Sequence, residues 1–132
     1  MTERKFICIV CPVGCELSAH ADDSGALSVQ GNQCKRGAEY ARTELTDPRR
    51  VLTGTVRLTA GPLRFLPVRT DKPVKRGVLR DAMRVLAQIE IEPPVKCGDV
   101  LRADFTEPGI NLLAGRTVER EHTTGDVQQT GP

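Results

Sequence analysis

Four of the five cysteines lie within the first 34 of the 132 residues, with the spacing Cys-x2-Cys-x3-Cys-x18-Cys. Pro12 and Gly14 favour a chain reversal between the first three, so three sulfur atoms can approach one centre that the distant fourth thiol completes. A bound centre of this kind would also anchor a small fold. The spacing therefore predicts a metal or iron-sulfur site whose ligands are Cys8, Cys11, Cys15 and Cys34.

Two kinds of centre use four thiolates, and the spacing favours one of them. A 4Fe-4S cluster needs one thiolate per iron, and a tight loop of cysteines with a remote fourth is a common solution. A structural zinc site more often uses two Cys-x2-Cys pairs, and Cys34 has no second cysteine within four residues. We therefore expect a 4Fe-4S cluster, with zinc as the alternative.

Composition restricts the class of protein. The 132-residue chain is 39% hydrophobic but only 3% aromatic, so its core is expected to be aliphatic. The net charge of +2 is too small to indicate a nucleic-acid partner. No apolar run approaches the roughly 20 residues of a membrane span, and the start lacks the apolar segment of a signal peptide. We expect a cytoplasmic protein without a membrane span, in which clustered cysteines hold metal more often than they form disulfides.

The N-terminal half predicts a hairpin that returns the chain to Cys34. A strand over residues 5–10 would enter the cysteine-containing loop. Strands over residues 16–21 and 26–30 would be joined by the turn Asp-Asp-Ser-Gly, whose side chains and positive φ suit a hairpin. A helix is expected over residues 35–45, ended by Asp47-Pro48.

The C-terminal half predicts short strands around one amphipathic helix. Strands are expected over residues 51–58 and 63–68, and Pro67 would confine the second of these to a sheet edge. Apolar residues at helical spacing predict the main helix over residues 75–89. Extended segments follow over residues 95–101 and 110–114.

The predicted fold class is α+β, with a small cysteine-rich lobe followed by a lobe of one main helix and short strands. The expected domains are residues 1–70, which would bind the centre, and residues 71–118. Residues 119–132 contain too few apolar side chains to bury and predict a disordered tail.

The segment from Cys8 through Cys34-Lys35-Arg36-Gly37 resembles the 4Fe-4S binding start of molybdopterin-dependent oxidoreductases. Directly after the fourth ligand, Lys35 and Arg36 would stabilise the more negative reduced cluster, with Lys35 as a cofactor-binding residue, and could face a partner. The alternative is that both belong to the solvated start of a helix. The following segment is similar as well, except that Gly54-Thr55 replaces the usual Pro-Leu. The pterin-binding region of those enzymes has no counterpart in these 132 residues, so catalysis at molybdenum is not implied.

A longer resemblance runs from about residue 5 to residue 118. It rests on Cys-x2-Cys-Pro-x-Gly-Cys, Val-Leu-Thr-Gly-Thr-Val, Lys-Pro-Val and Pro-Val-Lys-x-Gly-Asp-Val, in that order. These segments are similar to the DUF1667 family, whose members accompany FAD-dependent dehydrogenases of the glycerol-3-phosphate dehydrogenase type and pyridine-nucleotide-linked flavoproteins. The resemblance implies an electron-transfer accessory subunit.

Catalytic motifs are missing from the sequence. It contains no Walker loop, dinucleotide fingerprint or Gly-x-Ser-x-Gly element. We therefore expect a non-catalytic redox subunit of an oxidoreductase rather than an independent enzyme. A zinc-stabilised binding module without a redox role is the alternative. A thiol switch that cycles Cys8 and Cys11 as a disulfide ranks last, because the βαβ setting of such motifs is missing.

The remaining cysteine and the histidines predict structural roles. Cys97 lies in an apolar segment and is expected to be a small buried hydrophobe. His20 and His122 are isolated, without the spacing of metal ligands. The basic residues between Arg64 and Arg84 would either be solvated or dock an acidic flavoprotein surface.

Overall fold

The computed structural model describes residues 2–120 and belongs to the α+β class. The backbone divides between Arg49 and Arg50 into two compact units. This division precedes the expected domain boundary at residue 70, so the strands between residues 50 and 70 belong to the second unit.

The first unit contains a three-stranded antiparallel sheet in the order β1-β2-β3. The Asp22 carboxylate accepts hydrogen bonds from the backbone N–H groups of Ser24 (2.9 Å) and Ala26 (2.8 Å), which confirms the predicted hairpin turn. The strand before the cysteine-containing loop differs from the prediction, since it starts earlier and ends before Cys8. The strands are β1 (Thr2–Ile7), β2 (Glu16–Ala21) and β3 (Leu27–Gln30).

One helix, α1 (Lys35–Thr46), completes the first unit at the predicted place. It ends at Asp47, whose backbone N–H donates to the Thr43 carbonyl oxygen at 2.8 Å. Tyr40 meets Phe6 of β1 edge to face, with ring centroids 5.9 Å apart. Packing of α1 against the sheet therefore holds the helix close to the strands that flank the cysteine-containing loop.

The second unit contains a five-stranded sheet in the order β8-β5-β6-β10-β9. Its neighbours are antiparallel except for β5 and β8, which run parallel. β4 (Arg49–Arg50) spans the point where the backbone divides, and β7 (Val74–Lys75) is a further short strand. The larger sheet consists of β5 (Thr53–Leu58), β6 (Phe65–Thr70), β8 (Glu90–Ile91), β9 (Val100–Arg102) and β10 (Leu112–Ala114).

The prediction that Pro67 marks a sheet edge is wrong, because β6 pairs with β5 on one side and β10 on the other. The Pro67 carbonyl oxygen accepts a 2.8 Å hydrogen bond from the N–H of Gly115. In an antiparallel pair, the N and O of one residue face the same neighbour. A backbone N–H at residue 67 would therefore face Gly115, which lies beyond the end of β10. The proline at this position thus removes no hydrogen bond from β10.

The main helix is shorter than predicted. A 3-10 turn (Arg76–Val78) leads into α2 (Leu79–Leu86), and the chain then enters β8. Ile89, which the helical spacing included, is buried beside the sheet instead, and its carbonyl oxygen accepts from the Arg57 N–H at 3.3 Å. Pairing with β5 therefore ends the helix well before Pro93-Pro94.

The core of the second unit is aliphatic, as expected. Thr70 is the exception among its buried residues, and its hydroxyl accepts a 3.0 Å hydrogen bond from the Leu52 N–H. The predicted tail beyond residue 120 and His122 lie outside the described residues. No described helix has the length and apolar character of a membrane span. The largest fully buried aliphatic side chains of the second unit are Val56, Leu66, Val74, Leu86 and Leu112.

Candidate functional site

Residues 8–15 form a loop between β1 and β2, which we call the cysteine loop. The antiparallel pairing ends at Ile7 and Glu16. Immediately beyond it, the backbone N–H of Cys8 donates to the carbonyl oxygen of Cys15 at 2.8 Å. Gly14 has φ of +66°, a conformation that favours glycine and lets the chain turn back toward β2. The strand pairing therefore sets the positions of the first and last cysteines of the loop.

The three cysteines of the loop differ in burial. Cys8 is 5% exposed and packs with Leu17 of β2 and Ala41 of α1 in a small core. Cys15 is partly buried against the same core, and Cys11 is also partly exposed. The loop therefore presents its thiols over a range of depths, from the core of the unit to its surface.

Cys34 is the N-cap residue of α1 and is exposed. Its side chain makes no regular capping hydrogen bond. The backbone N–H of Gly37, followed by the side chain and the backbone N–H of Arg36, nevertheless lowers the pKa of the Cys34 thiol. The positive end of the helix dipole acts in the same direction. This position favours the thiolate form, which is the form that binds metals.

Arg36 links Cys34 to the cysteine loop. The hydrogen bond and charge of Cys34, followed by the charges of Cys11 and Cys8, raise the pKa of the Arg36 guanidinium. Three of the four candidate ligands therefore interact with one cationic side chain. The sequence placed two basic residues beside Cys34, and both Lys35 and Arg36 are exposed. Of the two, Arg36 is the one that interacts with the thiols.

The described residues do not include a formed metal site. Among residues 2–120, no three Cys, His, Asp or Glu side chains lie in a group that could hold a metal ion. The four predicted ligands therefore lie in one part of the first unit, but no three of their side chains come together as the ligands of a cluster do. The donor chemistry still fits thiolate ligation, since Cys34 has a depressed pKa and Arg36 supplies positive charge.

Cys97 and His20 are the remaining cysteine and histidine of the described residues. The prediction that Cys97 is buried is wrong, because its side chain is exposed. The Cys97 N–H donates to the Thr117 hydroxyl at 3.0 Å, and the next residue, Gly98, has φ of +91°. His20 lies in β2 with its Nε2 atom 3.9 Å from a Glu3 carboxylate oxygen.

Comparison with known families covers most of the chain. A family model described as "Protein of unknown function (DUF1667)" matches residues 35–116. The chain belongs to the DUF1667 family. The matched region of this DUF1667 protein begins at the first residue of α1 and continues through β10. It includes Lys35 and Arg36 and starts directly after Cys34.

A solved structure shares the fold of part of this DUF1667 protein. It is the NMR structure of Clostridium perfringens protein CPE0013, which has 22% sequence identity and a TM-score of 0.51. The similarity covers 59% of this chain and 96% of the other. At this identity the likeness concerns the fold alone. No curated protein matches the chain.

Proposed function

We propose that this DUF1667 protein is an electron-transfer accessory subunit of an FAD-dependent dehydrogenase. In this proposal Cys8, Cys11, Cys15 and Cys34 hold one 4Fe-4S cluster. The observation that supports it is the interaction of Cys34, Cys11 and Cys8 with the single guanidinium of Arg36. It indicates that the remote fourth cysteine and the loop share one electrostatic environment.

The local charges suit thiolate ligands. A cysteine must lose its proton before it binds iron or zinc. The N-terminus of α1 and Arg36 both favour that loss at Cys34. A guanidinium beside several thiolates also offsets their mutual repulsion, which lowers the cost of gathering four negative sulfur ligands.

A bound 4Fe-4S cluster would take up and release single electrons, with a potential that depends on nearby charge and hydrogen bonds. The positive charge of Arg36 would favour the more negative, reduced state. Cys34 is exposed and Cys11 is partly exposed, so electrons would enter and leave near the surface. The chain would then need no substrate pocket of its own.

The proposed partner follows from the family resemblance. We infer that it is an FAD-dependent dehydrogenase of the glycerol-3-phosphate dehydrogenase type, and that a pyridine-nucleotide-linked flavoprotein is a second partner. We also propose a cytoplasmic location, because a reducing compartment keeps clustered cysteines available for metal binding.

Anaerobic purification tests the cofactor. We expect a brown protein with a broad absorption band near roughly 400 nm, and iron and sulfide in equal amounts. A colourless protein that holds one zinc ion would overturn the redox proposal and support the zinc-stabilised module.

Co-purification tests the partner separately. A tagged chain isolated anaerobically from its own cells should bring with it a protein that carries FAD, recognised by the flavin spectrum. A preparation that contains the iron but no flavoprotein would overturn the accessory-subunit assignment while leaving the cluster intact.

A further inference from the structure

The core of the first unit is very small. Among its described residues, the buried apolar side chains are Cys8, Leu17, Ala19 and Ala41. Leu17 is the only large side chain among these four. Phe6, Val29 and Tyr40 pack against this core but are only partly buried. Burial of apolar surface is the main term that offsets the entropy lost on folding, so this core gives residues 2–49 little stability.

The second unit has a much larger core. Of its described residues, 14 with apolar side chains are buried in one cluster that includes the five-stranded sheet and α2. Most of these residues are leucine, isoleucine or valine, and none belongs to the first unit. We therefore expect apolar burial alone to hold the fold of the second unit.

Helix α1 has little apolar surface with which to hold the sheet of the first unit. Its buried residues are Gly37 and Ala41, whose small side chains bury little apolar area. The contact between Tyr40 and Phe6 adds a single aromatic pair. A helix of 12 residues is marginal in water unless packing supports it. The first unit therefore needs a further source of stability.

The candidate ligands lie where they could supply it. Cys8 and Cys15 are held at the ends of β1 and β2, and Cys34 lies at the N-cap position of α1. A centre bound by these thiols would join the sheet to the helix and close the chain between residues 15 and 34. Such a connection restricts the unfolded chain more than the folded one, and so favours folding.

We propose that the first unit is an order–disorder switch controlled by its cysteine ligands. The bound centre folds residues 2–49, and its removal unfolds them while the second unit stays folded. This inference rests on the proposed function, since it uses the same four ligands, and adds a form of regulation to that site. On binding a metal ion, each ligating thiol releases its proton to the solvent and its sulfur bonds the metal, without electron transfer.

The switch would make binding of a partner depend on the centre. An empty chain would lack the ordered surface around the cysteines. A partner that recognises that surface would therefore bind loaded chains and leave empty ones free.

Hydrogen–deuterium exchange of the full-length chain, read by mass spectrometry, tests the switch. The protein purified anaerobically is compared with the same protein after a chelator has removed its metal under reducing conditions, and again after Zn²⁺ alone is added. Zn²⁺ is the probe because it also binds four thiolates. Bound metal per chain is measured in every sample, and peptides from the second unit serve as the internal control.

We expect the backbone amides of β1, β2, β3 and α1 to exchange at least about tenfold faster in the metal-free chain, and Zn²⁺ to restore their protection. The amides of β5 and β6 should stay within about twofold in all samples. Equal protection of the first unit with and without metal would overturn the switch while leaving the proposed function standing.

A pair of cysteine variants separates ligation from simple damage to the fold. Cys34→Ser removes a ligand at an exposed position, and serine is a preferred N-cap residue, so the change itself favours α1. We expect residues 2–49 of this variant to exchange rapidly even with equimolar Zn²⁺. Cys97→Ser, in the second unit, should behave as the natural protein. Full protection of the first unit in the Cys34→Ser chain would contradict the switch.

Other outcomes distinguish this inference from the proposed function. Protection restored by Zn²⁺ in a chain that is purified without iron would support the switch and overturn the redox function. Iron bound without any gain of protection in the first unit would overturn the switch alone. A chain that binds neither iron nor Zn²⁺ would overturn both.

Discussion

The backbone N–H of Cys8 donates to the carbonyl oxygen of Cys15 at 2.8 Å, directly beyond the last residue pair of β1 and β2. The two ends of the cysteine loop are therefore held opposite each other by the sheet. Cys11 lies in the middle of the loop, and Cys34 lies at the start of α1. Any ligand centre would combine two sheet-anchored thiols with one loop thiol and one thiol at the N-cap position of α1.

Replacing Cys34 tests the remote ligand. Cys34→Ser should remove most of the bound iron, because one iron would lose its thiolate. Cys97→Ser is the matched control, since both cysteines are exposed but Cys97 lies in the second unit. Iron and sulfide per chain are measured after anaerobic purification. Equal retention of iron in the two variants would contradict the ligand set.

Replacing Arg36 tests the electrostatic role of this side chain. Arg36→Gln should lower the midpoint potential of the bound cluster, because the reduced state carries more negative charge and loses a favourable neighbour. Arg42→Gln removes an exposed arginine from the same helix and should leave the potential nearly unchanged. Anaerobic redox titration measures both. A similar shift in the two variants would indicate only an effect of net charge.

Gly31 controls the return of the chain from β3 toward Cys34. Its φ is +87°, and a Cβ atom there would collide with the carbonyl oxygen of Glu16. Gly31→Ala should lower the free energy of unfolding by at least about 2 kcal/mol. Gly25→Ala is the matched control, because Gly25 has a similar φ of +82° with open space around it. It should cost about 1 kcal/mol.

Urea denaturation measures both glycine variants. Equal losses would show that the backbone conformation, and not the contact with Glu16, limits substitution at Gly31.

The buried hydroxyl of Thr70 supports the start of β5. It accepts a hydrogen bond from the Leu52 N–H, and Thr70→Val would leave that donor buried without a partner. We expect a loss of about 1–3 kcal/mol in the free energy of unfolding. Thr55→Val, at an exposed position of β5, should change it by less than about 0.5 kcal/mol. A neutral effect of Thr70→Val in urea denaturation would refute this role.

Asp71 should make stability depend on pH. Hydrogen bonds from Asn111, first from its backbone N–H (2.9 Å), hold the pKa of the Asp71 carboxyl below its ordinary value. A carboxyl with a depressed pKa in the folded state stabilises the protein above its pKa in the unfolded chain. That contribution is lost as the pH falls from about 4 through the folded-state pKa.

Asp71→Asn should therefore destabilise the protein more at pH 7 than at strongly acidic pH. Asp23→Asn, at an exposed turn position, is the control and should change the free energy of unfolding by less than about 0.5 kcal/mol. Urea denaturation at several pH values measures the effect. A destabilisation by Asp71→Asn that is independent of pH would contradict the assignment.

Elements with strong local signals were predictable from the sequence. The turn after β2 is one example, because the Asp22 carboxylate accepts hydrogen bonds from the backbone N–H groups two and four residues later in the chain. The first helix was also predictable, because Asp47-Pro48 provides a local stop. These signals act within a few residues and need no knowledge of the rest of the fold.

Elements that depend on distant partners were not predictable. The helical spacing continued through Ile89, but parallel pairing of β8 with β5 determines the structure there. Pro67 predicted an edge strand because it has no backbone N–H to donate. A proline fits between two strands here because β10 ends before the residue opposite Pro67, and the sequence does not show where β10 ends. Cys97 was predicted to be buried because its neighbours are apolar, yet its side chain is exposed.

The candidate site was predictable in part. The sequence predicted which elements carry the cysteines, and it placed Cys34 at the start of a helix. Spacing alone could not show how deeply each thiol lies, and Cys8 packs against Leu17 and Ala41 in the core. Ligation of a cluster by the four thiols stays a prediction.

The exposure of Cys97 matters for handling the protein in air. Two chains could join through this thiol by an intermolecular disulfide, giving a covalent dimer that a reducing agent would separate. Such a species would mimic biological self-association in light-scattering experiments. Introducing Cys97→Ser into the protein used for these experiments would prevent this disulfide. The natural thiol, in turn, would offer an attachment point for a fluorescent dye.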